Sequence, residues 1–139
     1  MQKVTAAIIT RNNKIFIARR KATDYLAHKW EFPGGKIKDG ETPQECLKRE
    51  LQEELSIQVS VGRCLGESIY RYAHGTIQLI AYQAFWEGGA LQLNDHAEYR
   101  WATADQLAAF DFSPADQKFV DQIVQGHMRL DLNIDQSDQ

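Results

Sequence analysis

The chain has 139 residues, 43% of them hydrophobic and 25% charged, which suffices for one core and one domain. A net charge of −3 and a pI near 5.8 exclude a general attraction to nucleic acid or anionic membranes, so any phosphate binding has to be local. The longest apolar runs, such as Ala6 to Ile9, fall far short of a membrane span, and the N-terminus lacks a signal-peptide core. The expectation is a cytoplasmic protein, monomer or homodimer, with a small-molecule partner. Cys46 and Cys64 show neither metal-ligand nor redox spacing and read as two buried free thiols.

In chain order, "KVTAAII" and "KIFIA" predict two strands joined at Arg11-Asn12-Asn13, where asparagines tolerate positive φ. Arg19 to Gly40 shows little regular pattern and predicts a long loop, of the kind that is usually functional. A helix then starts at Thr42, with Pro43 in its first position and Glu45 completing a capping box. Strand patterns return at "IQVSVG", "GESIYRY", "TIQLIAYQAFWEG" and "EYRWA", with turns at His74-Gly75 and Gly88-Gly89. A short helix is expected at Ala104 to Phe110, and a final one from Ser113 to Gln125 with Ser113 as N-cap. One domain over residues 1–128 follows, with a polar tail at 129–139 that is expected to fray.

On the helix begun by Thr42, Leu47, Leu51 and Leu55 form an i, i+4 stripe that must pack on a sheet. Glu50, Glu53 and Glu54 cluster on an arc beside that stripe, where like charges repel, more strongly if partly desolvated. Arg49 can relieve one carboxylate but not all three. A divalent cation is the natural partner, and oxygen-only ligands favour Mg²⁺, with Mn²⁺ as a substitute.

The spacing is more specific still. From Gly35 the sequence runs five residues to Glu41, then seven more to Arg49-Glu50-Leu51-Gln52-Glu53-Glu54-Leu55-Ser56-Ile57. This resembles the Nudix box, a glycine, five residues, glutamate, seven residues, then Arg-Glu-apolar-any-Glu-Glu-any-Gly-apolar. Only Ser56 departs, standing where the family has a helix-ending glycine in the left-handed conformation, which puts the local cap geometry in question. "KWEFPGGKI" resembles the stretch before the box in MutT-type members of the family.

The resemblance implies an α/β fold, the Nudix α/β/α sandwich with a mixed β-sheet and a metal-binding loop-helix-loop. It also implies hydrolysis of a nucleoside triphosphate to the monophosphate and pyrophosphate. Glu50 and Glu54 would be metal ligands, Glu53 a further ligand, and the Gly34 carbonyl another, with Gly34 and Gly35 allowing close approach. Arg49 would orient Glu50 or Glu53 through a bidentate pair, and Glu41, outside the arc, would brace the loop. Glu98, expected on a loop facing the metal helix, would bind a metal or take the proton from water. Arg20 is the candidate phosphate contact and Lys36 a second one. Phe32 offers a ring or its backbone to the base, with a core aromatic as the competing reading, and Tyr72 has similar status.

Asp116 either completes a capping box after Ser113 or, as the resemblance implies, reads the base edge at this helix start. As an ionised, acceptor-only group it would favour an edge rich in N–H. The expected substrate is therefore a (d)NTP, oxidised or modified such as 8-oxo-dGTP, with a pyrimidine substrate (CTP, dCTP or 5-methyl-dCTP) as the alternative. ADP-ribose, dinucleoside polyphosphates and capped RNA fit the short chain less well. A non-catalytic Nudix-fold nucleotide-binding or regulatory module is the alternative from another class, against which the intact Arg49, Glu50, Glu53 and Glu54 argue.

Overall fold

A computed structural model describes residues 1–131 of the chain. The first hairpin forms where expected, β1 (Gln2–Arg11) to β2 (Lys14–Arg20), with Asn12 and Asn13 at φ 51° and 64°. Both turn residues take positive φ, which matches the twist of the strands they join. Beyond the hairpin β1 leaves β2 and runs parallel to β5 (Gly75–Gly88) over eight positions, from Gln2 opposite Ile77 to Ile9 opposite Ala84. The two strand patterns expected at 57–72 are one strand, β4 (Gln58–Tyr72), antiparallel to β5 and irregular in register around Cys64 and Gly66. Those irregularities break the alternation that made one strand read as two.

The expected long loop holds a short strand, β3 (Trp30–Glu31), paired with β2. Two residues carry no periodic signal. The strand exists because Trp30 donates its N–H to the Asp111 carbonyl and accepts from the Ser113 N–H, which clamps it from the far end of the chain. β6 (His96–Ala102) pairs antiparallel with the other side of β2 and completes a mixed six-stranded sheet.

Helices cover both faces. α1 (Pro43–Leu55) lays Leu47, Leu51 and Leu55 against Ala7, Ile9, Phe16 and Ala18. α2 (Pro114–Val124) follows a 3-10 helix (Ala104–Ala109) and packs Phe119, Val120 and Ile123 against Ala6, Ile8, Ile15 and Ile17. Successive residues of β1 and β2 thus feed opposite cores, as a period of two requires. This is the expected α/β/α sandwich.

Three expectations need correction. Cys46 is buried but Cys64 is exposed, at the irregular stretch of β4. The tail is not frayed throughout: Leu130 packs on the core and the Asp131 backbone exchanges hydrogen bonds with the Gln83 side chain, while residues 132–139 lie outside the described residues. Ser113 is the N-cap of α2 as expected, but it caps without a side-chain hydrogen bond. Among the described residues, no helix is long and apolar enough to cross a membrane.

Candidate active site

α1 starts on a complete capping box: Glu45 donates its N–H to Thr42 Oγ1 at 3.1 Å, and Thr42 donates its own to Glu45 Oε1 at 2.9 Å. It ends on Ser56, which takes the left-handed conformation at φ 59°, ψ 33° and donates its N–H to the Gln52 carbonyl. The geometry that glycine would supply is thus reached without it, with Asn94 Nδ2 donating to both Ser56 Oγ and the Glu53 carbonyl. Between those ends the three glutamates span a gradient of burial, with side-chain exposures of 56% for Glu53, 17% for Glu50 and 10% for Glu54.

Arg49 organises the exposed side of this arc, in a different way from the expected one. Its bidentate partner is Glu41, with Nε to Oε2 at 2.7 Å and Nη2 to Oε1 at 2.9 Å. Glu50 receives a single bond from Nη1 at 2.8 Å, Glu53 lies 3.4 Å away, and Nη2 also reaches the Lys36 carbonyl. The planar fork fits one carboxylate squarely, and the one best placed sits on the loop. The guanidinium thereby ties loop to helix. Hydrogen bonds from Arg49 and from the Lys38 N–H hold the Glu41 carboxyl down at about 2, and Glu41 in turn holds the Arg49 guanidinium above its usual value.

The glycine pair before the box lies between β1 and α1. The Pro33 and Gly35 carbonyls accept from the N–H groups of Ala7 and Thr5, which leaves the intervening Gly34 carbonyl to point away from β1. A Cβ on Gly34 would strike the Thr5 main chain.

A cavity of about 610 Å³ opens in front of these elements, with Glu50, Glu53, Glu54, Gly34 and Lys36 in its wall. Burial, and the charges of Glu31 and Glu50, push the Glu54 carboxyl up to about 9, and its Oε1 is buried without a hydrogen-bond partner. A carboxylate so placed lacks a positive partner. That orphaned oxygen, within an arc of oxygen donors, fits a hard divalent cation held by Glu50, Glu53, Glu54 and the Gly34 carbonyl.

Glu98 does not face this cavity. It lies within β6, not on a loop, and its carboxylate pairs with Arg19 at 2.9 Å and Arg100 at 3.0 Å. The cause is a bulge: Arg19 stands opposite Glu98 and Arg20 opposite His96, so Ala97 is skipped and the two side chains part company. Asp95 and His96 line the cavity instead. The sequence pattern singles out neither, because a one-residue bulge leaves no mark on the alternation. Glu31, in the quoted "KWEFPGGKI" stretch, is the other wall residue missed.

Arg20 lines the cavity with its Nη1 on Glu31 Oε1 at 2.9 Å and its Nε on the Tyr25 carbonyl at 2.8 Å. Burial works against its charge, but Glu31 more than compensates and raises its pKa. The Phe32 ring is core, tilted against Phe112 at 5.4 Å, and its N–H donates to Asp116 Oδ1 at 3.1 Å. Asp116 therefore spends its carboxylate on β3's exit and not on a cap. Burial, with the charge of Glu31, lifts that carboxyl well above the usual range. Tyr72 accepts the Ala115 N–H at 3.0 Å and stacks on His74 with ring centroids 5.6 Å apart, while Tyr25 meets both rings edge-on. These aromatics and Asp116 line the cavity together with the glutamates of α1.

The site and the fold have recognisable counterparts. The chain is 35% identical over 116 residues to the CTP pyrophosphohydrolase of Escherichia coli K12, covering 84% of this chain and 86% of that one. It is 36% identical over 121 residues to the 8-oxo-dGTP diphosphatase of the same strain, covering 86% and 93%. The solution structure of the E. coli ORF135 protein superposes with a TM-score of 0.80 at 32% identity, covering 90% of this chain and 89% of that one. The family model of the NUDIX domain matches residues 1–123, and the chain belongs to that family.

Proposed function

We propose that the protein hydrolyses a nucleoside triphosphate to the monophosphate and pyrophosphate with Mg²⁺, Mn²⁺ substituting. The observation that carries this reading is the pairing, across one cavity, of a carboxylate arc on α1 with a buried carboxyl and aromatic rings at the start of α2. One end suits phosphates and their cation, the other a base. Bound by Glu50, Glu53, Glu54 and the Gly34 carbonyl, the cation would neutralise phosphate charge and lower the pKa of a water. Arg49 fixes Glu50 and the Glu41 loop so that the arc is in place before substrate arrives. Arg20, held by Glu31 and the Tyr25 carbonyl, and Lys36 put positive charge at the cavity wall for the phosphates. Asp95, and not Glu98, brings the further carboxylate from the β6 side.

For the base, the relatives' names point to two substrates, 8-oxo-dGTP and CTP. Asp116, held by the Phe32 N–H in the cavity wall, offers a carboxyl to the base edge, and its acceptor oxygen suits the amino groups that guanine and cytosine both carry. The sanitising of oxidised (d)NTPs is the first reading and pyrimidine hydrolysis the second. We take the protein to act in the cytoplasm on free nucleotide, as a monomer or homodimer. Pyrophosphate release is to be measured across canonical and oxidised (d)NTPs, 5-methyl-dCTP and ADP-ribose with Mg²⁺ or Mn²⁺. Absence of release from all of them sinks the proposal and leaves a binding module.

A further inference from the structure

The end of β6 brings a nitrogen donor to the inner wall of the cavity, where the α1 glutamates supply only oxygen. His96 has a side chain only 2% exposed, and its Nε2 lies 2.8 Å from Glu31 Oε2 and 3.7 Å from Glu54 Oε2. One ligand atom from each of the three residues lies within 4.8 Å of the other two. The other oxygen of Glu31 is held by Arg20 at 2.9 Å, so its carboxylate is fixed with Oε2 toward the imidazole.

A fold-bracing hydrogen bond between His96 and Glu31 accounts for part of this. It does not account for Glu54, which is 8% exposed and whose second oxygen, Oε2, stands 3.7 Å from His96 Nε2, beyond hydrogen-bond reach. One imidazole nitrogen and two carboxylate oxygens thus converge in a buried corner that hydrogen bonding closes on one side only. A cation there would bridge all three. Zinc ligated at ~2.0–2.2 Å in a tetrahedral arrangement needs donors about 3.3–3.6 Å apart, and the separations of 2.8 Å and 3.7 Å bracket that range. Adding an imidazole to carboxylates also shifts the preference from Mg²⁺ toward borderline metals.

We propose that Glu31, Glu54 and His96 form a mixed nitrogen–oxygen site for a divalent transition metal of the Zn²⁺ class, separate from the all-oxygen arc of Glu50 and Glu53. The two sites share Glu54. A metal bound by His96 therefore draws on a carboxylate that the arc also needs, and the two ions compete. The inference concerns ion binding by the protein without nucleotide, so it stands or falls independently of the hydrolase reading.

The test uses full-length protein stripped of metal. Calorimetric titrations with Zn²⁺ and with Mg²⁺ compare the wild type with His96→Gln, Glu31→Gln and Glu50→Gln. Zn²⁺ affinity is expected to fall by at least ~10-fold in His96→Gln and Glu31→Gln and to stay within about threefold in Glu50→Gln. Mg²⁺ affinity is expected to follow the opposite order. Histidine side-chain ¹⁵N NMR on the wild type reads the same site without mutation: Zn²⁺ should move the His96 Nε2 resonance and leave those of His28, His74 and His127 in place. Unchanged Zn²⁺ affinity in His96→Gln overturns the proposal. So does a His96 resonance that Zn²⁺ leaves unmoved, which decides the matter if His96→Gln does not fold.

Discussion

Gly35 faces the Glu50 carboxylate so closely that a Cβ on the glycine would lie 2.5 and 2.6 Å from its two oxygens. Its neighbour Gly34 meets the Thr5 main chain in the same way. The two obstacles differ in what can yield: a side chain can rotate, a strand cannot. Gly35→Ala is therefore expected to lower turnover by at least ~10-fold with a stability loss of about 1 kcal/mol, because Glu50 is displaced. Gly34→Ala should cost ~3 kcal/mol or more, because β1 has to shift. Melting curves and steady-state kinetics of both variants check the contrast. Equal losses of stability would show that the carboxylate is as rigid as the strand.

Glu50→Gln removes a charge that would hold the cation while keeping the shape of the side chain and an acceptor for Arg49. Its kcat should fall at least ~10²-fold with the fold retained. Near-normal turnover of a folded variant would take Glu50 out of the mechanism.

Arg49 binds Glu41 through two bonds and Glu50 through one. Arg49→Lys keeps the charge but loses the fork, so the loop and the arc are no longer tied to the same group. We expect kcat to drop about tenfold or more with a smaller change in KM, since positioning is lost and charge is not. A variant with wild-type kcat would show that the clamp is dispensable.

Glu54 couples stability to pH with an unusual sign. Burial raises its folded pKa to about 9 from an ordinary value of 4.5, so in metal-free protein the folded state holds one more proton than the unfolded state between those pH values. Its contribution is fully present below about 4.5 and is lost as pH rises toward about 9, with a slope of at most ~1.4 kcal/mol per pH unit. Melting temperatures of chelator-treated protein from pH 5 to 9 should thus fall more steeply for the wild type than for Glu54→Gln. Mg²⁺ should flatten the wild-type curve and leave the variant's nearly unchanged. Parallel curves for the two metal-free proteins would remove Glu54 as the source.

Asp116 accepts from the Phe32 N–H and lines the cavity, so it braces β3 from the cavity wall. Asp116→Asn keeps an acceptor for Phe32 but replaces a carboxyl with an amide. If the carboxyl reads the base, relative kcat/KM among 8-oxo-dGTP, dGTP, dCTP and 5-methyl-dCTP should change by ~10-fold or more. A uniform drop with unchanged order would leave Asp116 only its bond to Phe32.

What depends on local spacing was legible in the chain. The hairpin at Asn12-Asn13, the capped helix with its leucine stripe, and the arc of Glu50, Glu53 and Glu54 are all set by neighbours within a few residues, where period and capping chemistry decide. Meetings of distant segments were not legible there. Glu41 won the Arg49 fork because a loop folds back on the helix, and Asp116 abandoned its cap because Phe32 arrives 84 positions away in sequence. β3 exists through bonds to residues just before α2, and a bulge in β6 turned His96 inward and left Glu98 to Arg19. Periodicity reports which face a residue occupies only while register is kept, and it carries no information about which remote partner fills the space on that face.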